Sequence, residues 1–148
     1  MARLKIPDPE RIIFSRQWAV TGDYINGANH IGNESFVSLF NATAEQYFLG
    51  RGAPPYTVYG QILINTEFSV QLKSEARLDD CLGIHLAVGN FHRCGCDFIY
   101  RINNSISGVL VARAQFSFLC FDYQAGCLAD AGERFQDFFI RSECDEQA

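Results

Sequence analysis

Glu34–Gly52 reads ESFVSLFNATAEQYFLGRG. Phe36, Val37, Phe40, Ala44, Tyr47 and Phe48 recur at steps of three and four, which places them on one helical stripe. Leu39 and Ala42 widen the stripe, so the predicted helix is buried on more than one side. Gly50 is the expected stop, supported by Gly52, Pro54 and Pro55. Asn33 is the expected N-cap, and Glu34 falls in the first turn, where a carboxylate complements the positive end of the helix dipole. A helix apolar around most of its circumference needs something wrapped around it.

The flanking sequence supplies strands. Arg11–Val20 alternates, with Ile13, Ser15, Gln17 and Ala19 on one face and Ile12, Phe14, Arg16 and Trp18 on the other. A turn-rich loop runs from there to Asn33. Beyond the prolines, Thr57 to about Lys73 alternates as one strand. Residues 79–93 and 94–104 read as a hairpin-connected pair, and residues 108–126 as a long strand ending at Gly126. Turns at Arg77–Asp80 and Asn103–Gly108 have lengths suited to antiparallel meanders. A short amphipathic helix, Glu133–Ser142, closes the chain. One long apolar helix followed by four long antiparallel strands predicts an α+β hotdog fold, a curved sheet wrapped around a central helix. Long apolar edge strands with few gatekeepers predict a homodimer, or a homotetramer built from dimers.

The 148 residues fit one domain, Met1 to Ala148, long enough to bury a real core. Thirteen phenylalanines predict a thick aromatic interior or an apolar pocket. A net charge of -5 argues against nonspecific nucleic-acid binding, which needs a basic stripe to displace counterions. It leaves room for an anionic small molecule held by local arginines. The N-terminus has no apolar signal-peptide core, and no apolar run reaches the ~18 residues of a membrane span. A soluble, cytoplasmic protein with reduced thiols is expected. Cys94-Gly95-Cys96 is the tightest cysteine pair, with both thiols on one strand face. A metal site there lacks a second Cys/His pair at a recognised spacing, so these cysteines read as small core residues.

The loop before the helix, Asn26–Ser35, reads NGANHIGNES and gathers Asn26, His30, Asn33 and Glu34. With the helix it gives HIGNESFVSLFNATAEQYFL, which resembles the histidine–asparagine loop and central helix of the 4-hydroxybenzoyl-CoA thioesterase family. The resemblance continues through Val58–Val88, a strand, polar turn and strand, and through Phe121–Ala129 at the end of the last long strand. It spans about Arg11 to Arg134.

The resemblance implies a thioester hydrolase acting on acyl-CoA or acyl-carrier-protein substrates, with no metal or redox cofactor. It places a backbone N–H at Asn33 against the thioester carbonyl, where unsatisfied helix N-terminal amides can hold an oxyanion. The best-known branch carries a catalytic aspartate four residues before the histidine; here that position is Asn26, so nucleophilic attack by a carboxylate is impossible there. Asn26 and His30 are left to orient a water or the carbonyl. Glu34 is favoured as the base, over Asp23 and His30, because it neighbours the oxyanion site. Lys73, Arg77, Arg93 and Arg101 are candidates for the phosphates of coenzyme A, Arg77 and Arg93 foremost. His85 reads as a satisfied core or interface histidine, and His92 as part of a hairpin turn. The missing aspartate also leaves open a non-catalytic module that binds acyl thioesters as carrier or sensor. A hotdog dehydratase is disfavoured because the His-Phe-Pro loop of such enzymes is absent.

Overall fold

The computed structural model describes residues 5–140. The chain runs β1 (Ile12–Ala19), a 3-10 turn (Gly22–Tyr24), α1 (Asn33–Gly50), β2 (Thr57–Val58), β3 (Gln61–Leu72), β4 (Cys81–His92), β5 (Gly95–Asn104), β6 (Leu110–Asp122), β7 (Cys127–Leu128) and α2 (Phe135–Ile140). The strands form one antiparallel sheet in the order β1-β4-β5-β6-β3-β2, with β7 on β6. It curls around α1, giving the expected hotdog architecture.

The predicted helix is present, and its burial explains the wide stripe. Phe36, Leu39, Phe40, Thr43, Ala44, Tyr47 and Phe48 are all buried, following steps of three and one. Val37, placed on the stripe by sequence, is only half-buried because it faces a cavity beside β3. Thr43 is the buried polar residue of this face, and its Oγ1 donates to the Leu39 carbonyl at 2.7 Å. That back-bond removes the penalty of an unpaired hydroxyl. The sheet meets the helix with rings: Phe40 lies 4.8 Å from Tyr100 and 5.9 Å from Phe116, centroid to centroid. At the C-terminal end of α1, Phe48 stacks 5.8 Å from Phe138, so α2 plugs that end of the half-barrel.

Four local expectations are corrected. Gly32, not Asn33, is the N-cap; its carbonyl accepts from Ser35 and Phe36, so Asn33 is the first helical residue. Gly50 is the last helical residue rather than the stop, and the left-handed position is Gly52 (φ 71°). The strand predicted from Thr57 breaks at Tyr59 and Gly60, both left-handed, and folds back so that Thr57 faces Ile62. The last long strand ends at Asp122, where the Asp122 carboxylate accepts from the amides of Gln124 and Ala125 and turns the chain into β7. The closing helix spans Phe135–Ile140; Arg141 and Ser142 of its predicted range lie outside the described residues.

Curvature has a local source in β3. The register slips between Asn65 and Glu67, an insertion that bends and twists a strand. Asn65 Nδ2 stitches the bulge by donating to the carbonyls of Glu67 and Ser117, both at 3.0 Å.

The Cys94-Gly95-Cys96 run also finds its reason. A side chain at Gly95 would collide with the Phe118 carbonyl oxygen, so only glycine lets β5 approach β6 there. Cys96 is fully buried, and burial pushes its thiol well above the ordinary range; burial also pushes Cys120 up to about 11. Cys96 and Cys120 sit in the core as small apolar side chains. Cys94 lies in the turn before β5 and is only half-buried, so Cys94 and Cys96 do not share the expected strand face. His85 is half-buried on the outer sheet face, bonded through Nδ1 to Ser15 Oγ at 2.8 Å. His92 accepts the Cys94 amide at 3.2 Å and holds the β4–β5 turn.

Gly95→Ala should lower the unfolding free energy by about 1–3 kcal/mol, the usual penalty of overpacking, or by more because the clash is with backbone. Urea melts would register this, and an unchanged midpoint would show that β5 and β6 are not in this register.

Candidate functional site

The loop between β1 and α1 is a small closed hairpin. Ile25 bridges Ile31, the Asn26 amide donates to the His30 carbonyl at 2.7 Å, and Asn29 takes the left-handed conformation (φ 62°) at the tip. The Asn26 side chain fastens the turn from inside, with Oδ1 accepting from the amides of Ala28 (3.0 Å) and His30 (3.2 Å). An asparagine suits this role because its carbonyl mimics a backbone acceptor. Gly32 then joins loop to helix: its N–H donates to the Tyr24 carbonyl at 3.0 Å while its own carbonyl begins α1.

Among the described residues, no side chain caps the N-terminus of α1. The amides of Asn33 and Glu34 therefore stand at the positive end of an 18-residue helix without a helical acceptor. The Glu34 carboxylate folds back over Gly32, and its Oε1 lies 2.5 Å from where a β-carbon there would stand.

The opposite wall is the chain after β3. Ser74 Oγ donates to the Leu110 carbonyl at 2.6 Å, Ala76 is buried, and the amide of Asp79 donates to the carbonyl of Val20 at 3.0 Å. Thus pinned at both ends, this segment presents Glu75 to the loop, with Oε1 3.2 Å from His30 Nε2. Arg77 Nη2 lies 3.4 Å from Glu75 Oε2. Between the two walls is a cleft of about 320 Å³ lined by Asn26, His30, Asn33, Phe36, Lys73 and Glu75, among others.

Of the residues singled out from sequence, Asn26, His30 and Asn33 come together at this cleft. Asp23 is exposed in the 3-10 turn, and neither it nor Glu34 lines the cleft. Arg77 reaches the rim through Glu75. Arg93 lies in the β4–β5 turn, beyond the far end of the 12-residue β4, paired with Asp130 at 3.0 Å. The Gly132 amide and the Arg93 guanidinium hold the Asp130 carboxyl below its usual range. Within one chain, Arg93 and the cleft are at opposite ends of the sheet. Glu75 was missed by sequence reasoning. No local spacing links it to His30, which it meets only through the fold.

A second cavity, about 260 Å³, lies further along α1 beside β3 and is lined by Val37, Asn41, Tyr56, Phe68, Phe116 and Phe118, with Glu45 and Asn65 at its edge. Phe68 stacks on Phe116 at 5.1 Å and Tyr56 on Phe118 at 5.4 Å, which gives this cavity flat aromatic walls.

No protein-family model and no curated sequence matches the chain. Solved structures do match. A 1,4-dihydroxy-2-naphthoyl-CoA thioesterase from Synechocystis superposes with a TM-score of 0.76 at 18% identity, over 91% of this chain and 98% of that one. A hypothetical protein from Staphylococcus aureus in complex with CoA gives 0.75 at 13% identity, over 94% and 86%. The 12:0-ACP thioesterase from Umbellularia californica gives 0.75 at 10% identity, over 87% of this chain and 51% of that one. Likeness at these identities defines the class of architecture, the hotdog fold shared with thioesterase structures.

Asn26→Ala should remove both loop-closing acceptor bonds. Two exposed amides lose their partner and turn to water, so the expected loss is about 0.5–1.5 kcal/mol of stability, with hydrogen exchange of the Ala28 and His30 amides rising first. Unchanged protection of those two amides would contradict the closed loop.

Proposed function

We propose that the chain hydrolyses the thioester of an acyl-CoA or acyl-carrier-protein substrate by attack of water at the N-terminus of α1. One observation carries the reading: the N-terminus of α1 opens at Asn33, its first residue, onto a cleft that also holds His30 and Asn26. A thioester carbonyl seated there would meet preorganised donors where negative charge develops in the tetrahedral intermediate. The acyl group would extend along α1 into the aromatic-walled cavity by Phe68 and Phe116. Lys73 in the cleft and Arg77 at its rim would meet the phosphates of coenzyme A. Arg93 would reach such a ligand only from a neighbouring protomer.

A homodimer would fit the same reading. Among the described residues β3 is an outer strand paired on this side only over Gln61–Leu63, by β2 and the Tyr56 carbonyl before it, and it exposes Phe68 and Leu72, at 52% and 50%. Pairing through this edge would cover both residues and wall the acyl cavity. The protein should sediment as a dimer, and Phe68→Asp should shift it toward monomer; a wild-type monomer at micromolar concentration would exclude edge pairing.

The alternative, an acyl-thioester-binding module without turnover, is favoured by Asn26, whose oxygen serves the loop rather than a substrate. An acyl-CoA panel spanning aliphatic and aromatic groups, read with a thiol-reactive dye, separates the two. Thiol release well above the spontaneous rate is expected for at least one substrate class; tight binding with no release would establish the module instead.

A further inference from the structure

We infer that the base in this site is a dyad, His30 oriented by Glu75, which supplies from the β3–β4 connection the carboxylate absent at Asn26. The inference deepens the thioesterase reading and rests on it. Glu75 Oε1 lies 3.2 Å from His30 Nε2, and an ionised carboxylate can only accept, so Nε2 carries the proton and Nδ1 keeps its lone pair. Arg77 engages the second carboxylate oxygen at 3.4 Å and limits rotation of the Glu75 side chain. The backbone holds the imidazole from the other side: His30 N–H goes to Asn26 Oδ1 and His30 C=O to the Asn26 amide. The histidine is thus fixed at its main chain by one residue and at its ring by another, in the cleft that Asn33, the first residue of α1, also lines.

Neither other carboxylate near the loop has this placement. Glu34 lies over Gly32 and Asp23 in the 3-10 turn, and neither lines the cleft. His30 and Glu75 are half-exposed, at 48% and 55%, so an acyl thioester filling the cleft would shield the pair from water as it binds.

The step balances without another reactant. His30 Nδ1 takes a proton from water as the water oxygen bonds to the thioester carbon, and the carbonyl electrons move onto oxygen against the Asn33 and Glu34 amides. The imidazolium is stabilised by Glu75. The carbonyl then re-forms, the C–S bond breaks, and the proton on His30 passes to the departing sulfur, giving a carboxylic acid and a free thiol. Glu75 touches no reacting atom; it is a positioning residue. Its signature follows from tautomer control. The amide of a glutamine donates as well as accepts, so Glu75→Gln can hold Nε2 as an acceptor and move the ring proton to Nδ1, which silences the base.

The test compares His30→Ala, Glu75→Gln and Glu34→Gln on the best substrate of the panel. His30→Ala should lower kcat by roughly 10²–10⁴-fold, the range of general-base catalysis, and added imidazole should restore part of it. Glu75→Gln should lower kcat at least about tenfold with KM little changed, since orientation and not binding is lost. Nitrogen-15 shifts of the His30 ring should report the Nε2–H tautomer in the wild type and lose it in Glu75→Gln. A large fall in Glu34→Gln with Glu75→Gln at the wild-type rate, or a ring tautomer indifferent to Glu75, would overturn the dyad and leave the thioesterase reading intact. A wild-type protein that releases thiol from no substrate overturns that reading instead.

Discussion

Everything in this molecule is arranged around the need to bury one broad aromatic face of α1. That face carries seven buried side chains, four of them aromatic, while Ser38, Glu45, Gln46 and Leu49 opposite it stay exposed, and a flat sheet would not reach across its full width. The sheet must therefore curl, and the β3 bulge at Asn65–Glu67 and the close β5–β6 approach at Gly95 supply the bend and the tight spacing. The rings of Phe40, Tyr100 and Phe116 interlock at 4.8–5.9 Å, so the helix has little freedom to slide. Rigid packing of this kind would let the proposed reaction hold its geometry at the helix end.

The site follows from that wrapping. Because the sheet encloses the body of α1, its N-terminus emerges where the β1–α1 loop and the β3–β4 connection meet. The first brings His30 and Asn26, the second Lys73 and Glu75. Asn26 has a fixed structural duty as acceptor for two amides. Charge at the cleft is instead concentrated on the facing wall, where Lys73, Glu75 and Arg77 alternate in sequence with small residues.

Much of the fold was legible because α1 has an unambiguous period and its breadth of apolar coverage implies an enclosing sheet. The long strands also alternate cleanly. The failures are all at ends, where a single dihedral decides: the sequence around Tyr59-Gly60 alternates like a strand, yet both residues turn left-handed and reverse the chain. Asn33 has N-cap chemistry, but Gly32 takes the cap because its amide is already committed to Tyr24. For the site, the loop cluster was readable since Asn26, His30 and Asn33 are near neighbours in the chain. Glu75 was not, because its meeting with His30 depends on the register of β3 and on the tethers at Ser74 and Asp79, which no local pattern encodes.

Gly32 belongs at once to the loop and to the helix, donating a bond to the Tyr24 carbonyl on one side and starting the helical ladder with its own carbonyl on the other. It acts as a rigid coupling between two mechanical parts. Any axial slip of α1, for instance after a change among the distant rings at Phe48 and Phe138, is transmitted through this one residue to the imidazole. In the proposed hydrolysis a shift of about 1 Å there would be enough to spoil the attack geometry. Substitutions at the plugged end of the half-barrel would then be felt at the open end without altering any residue that lines the cleft.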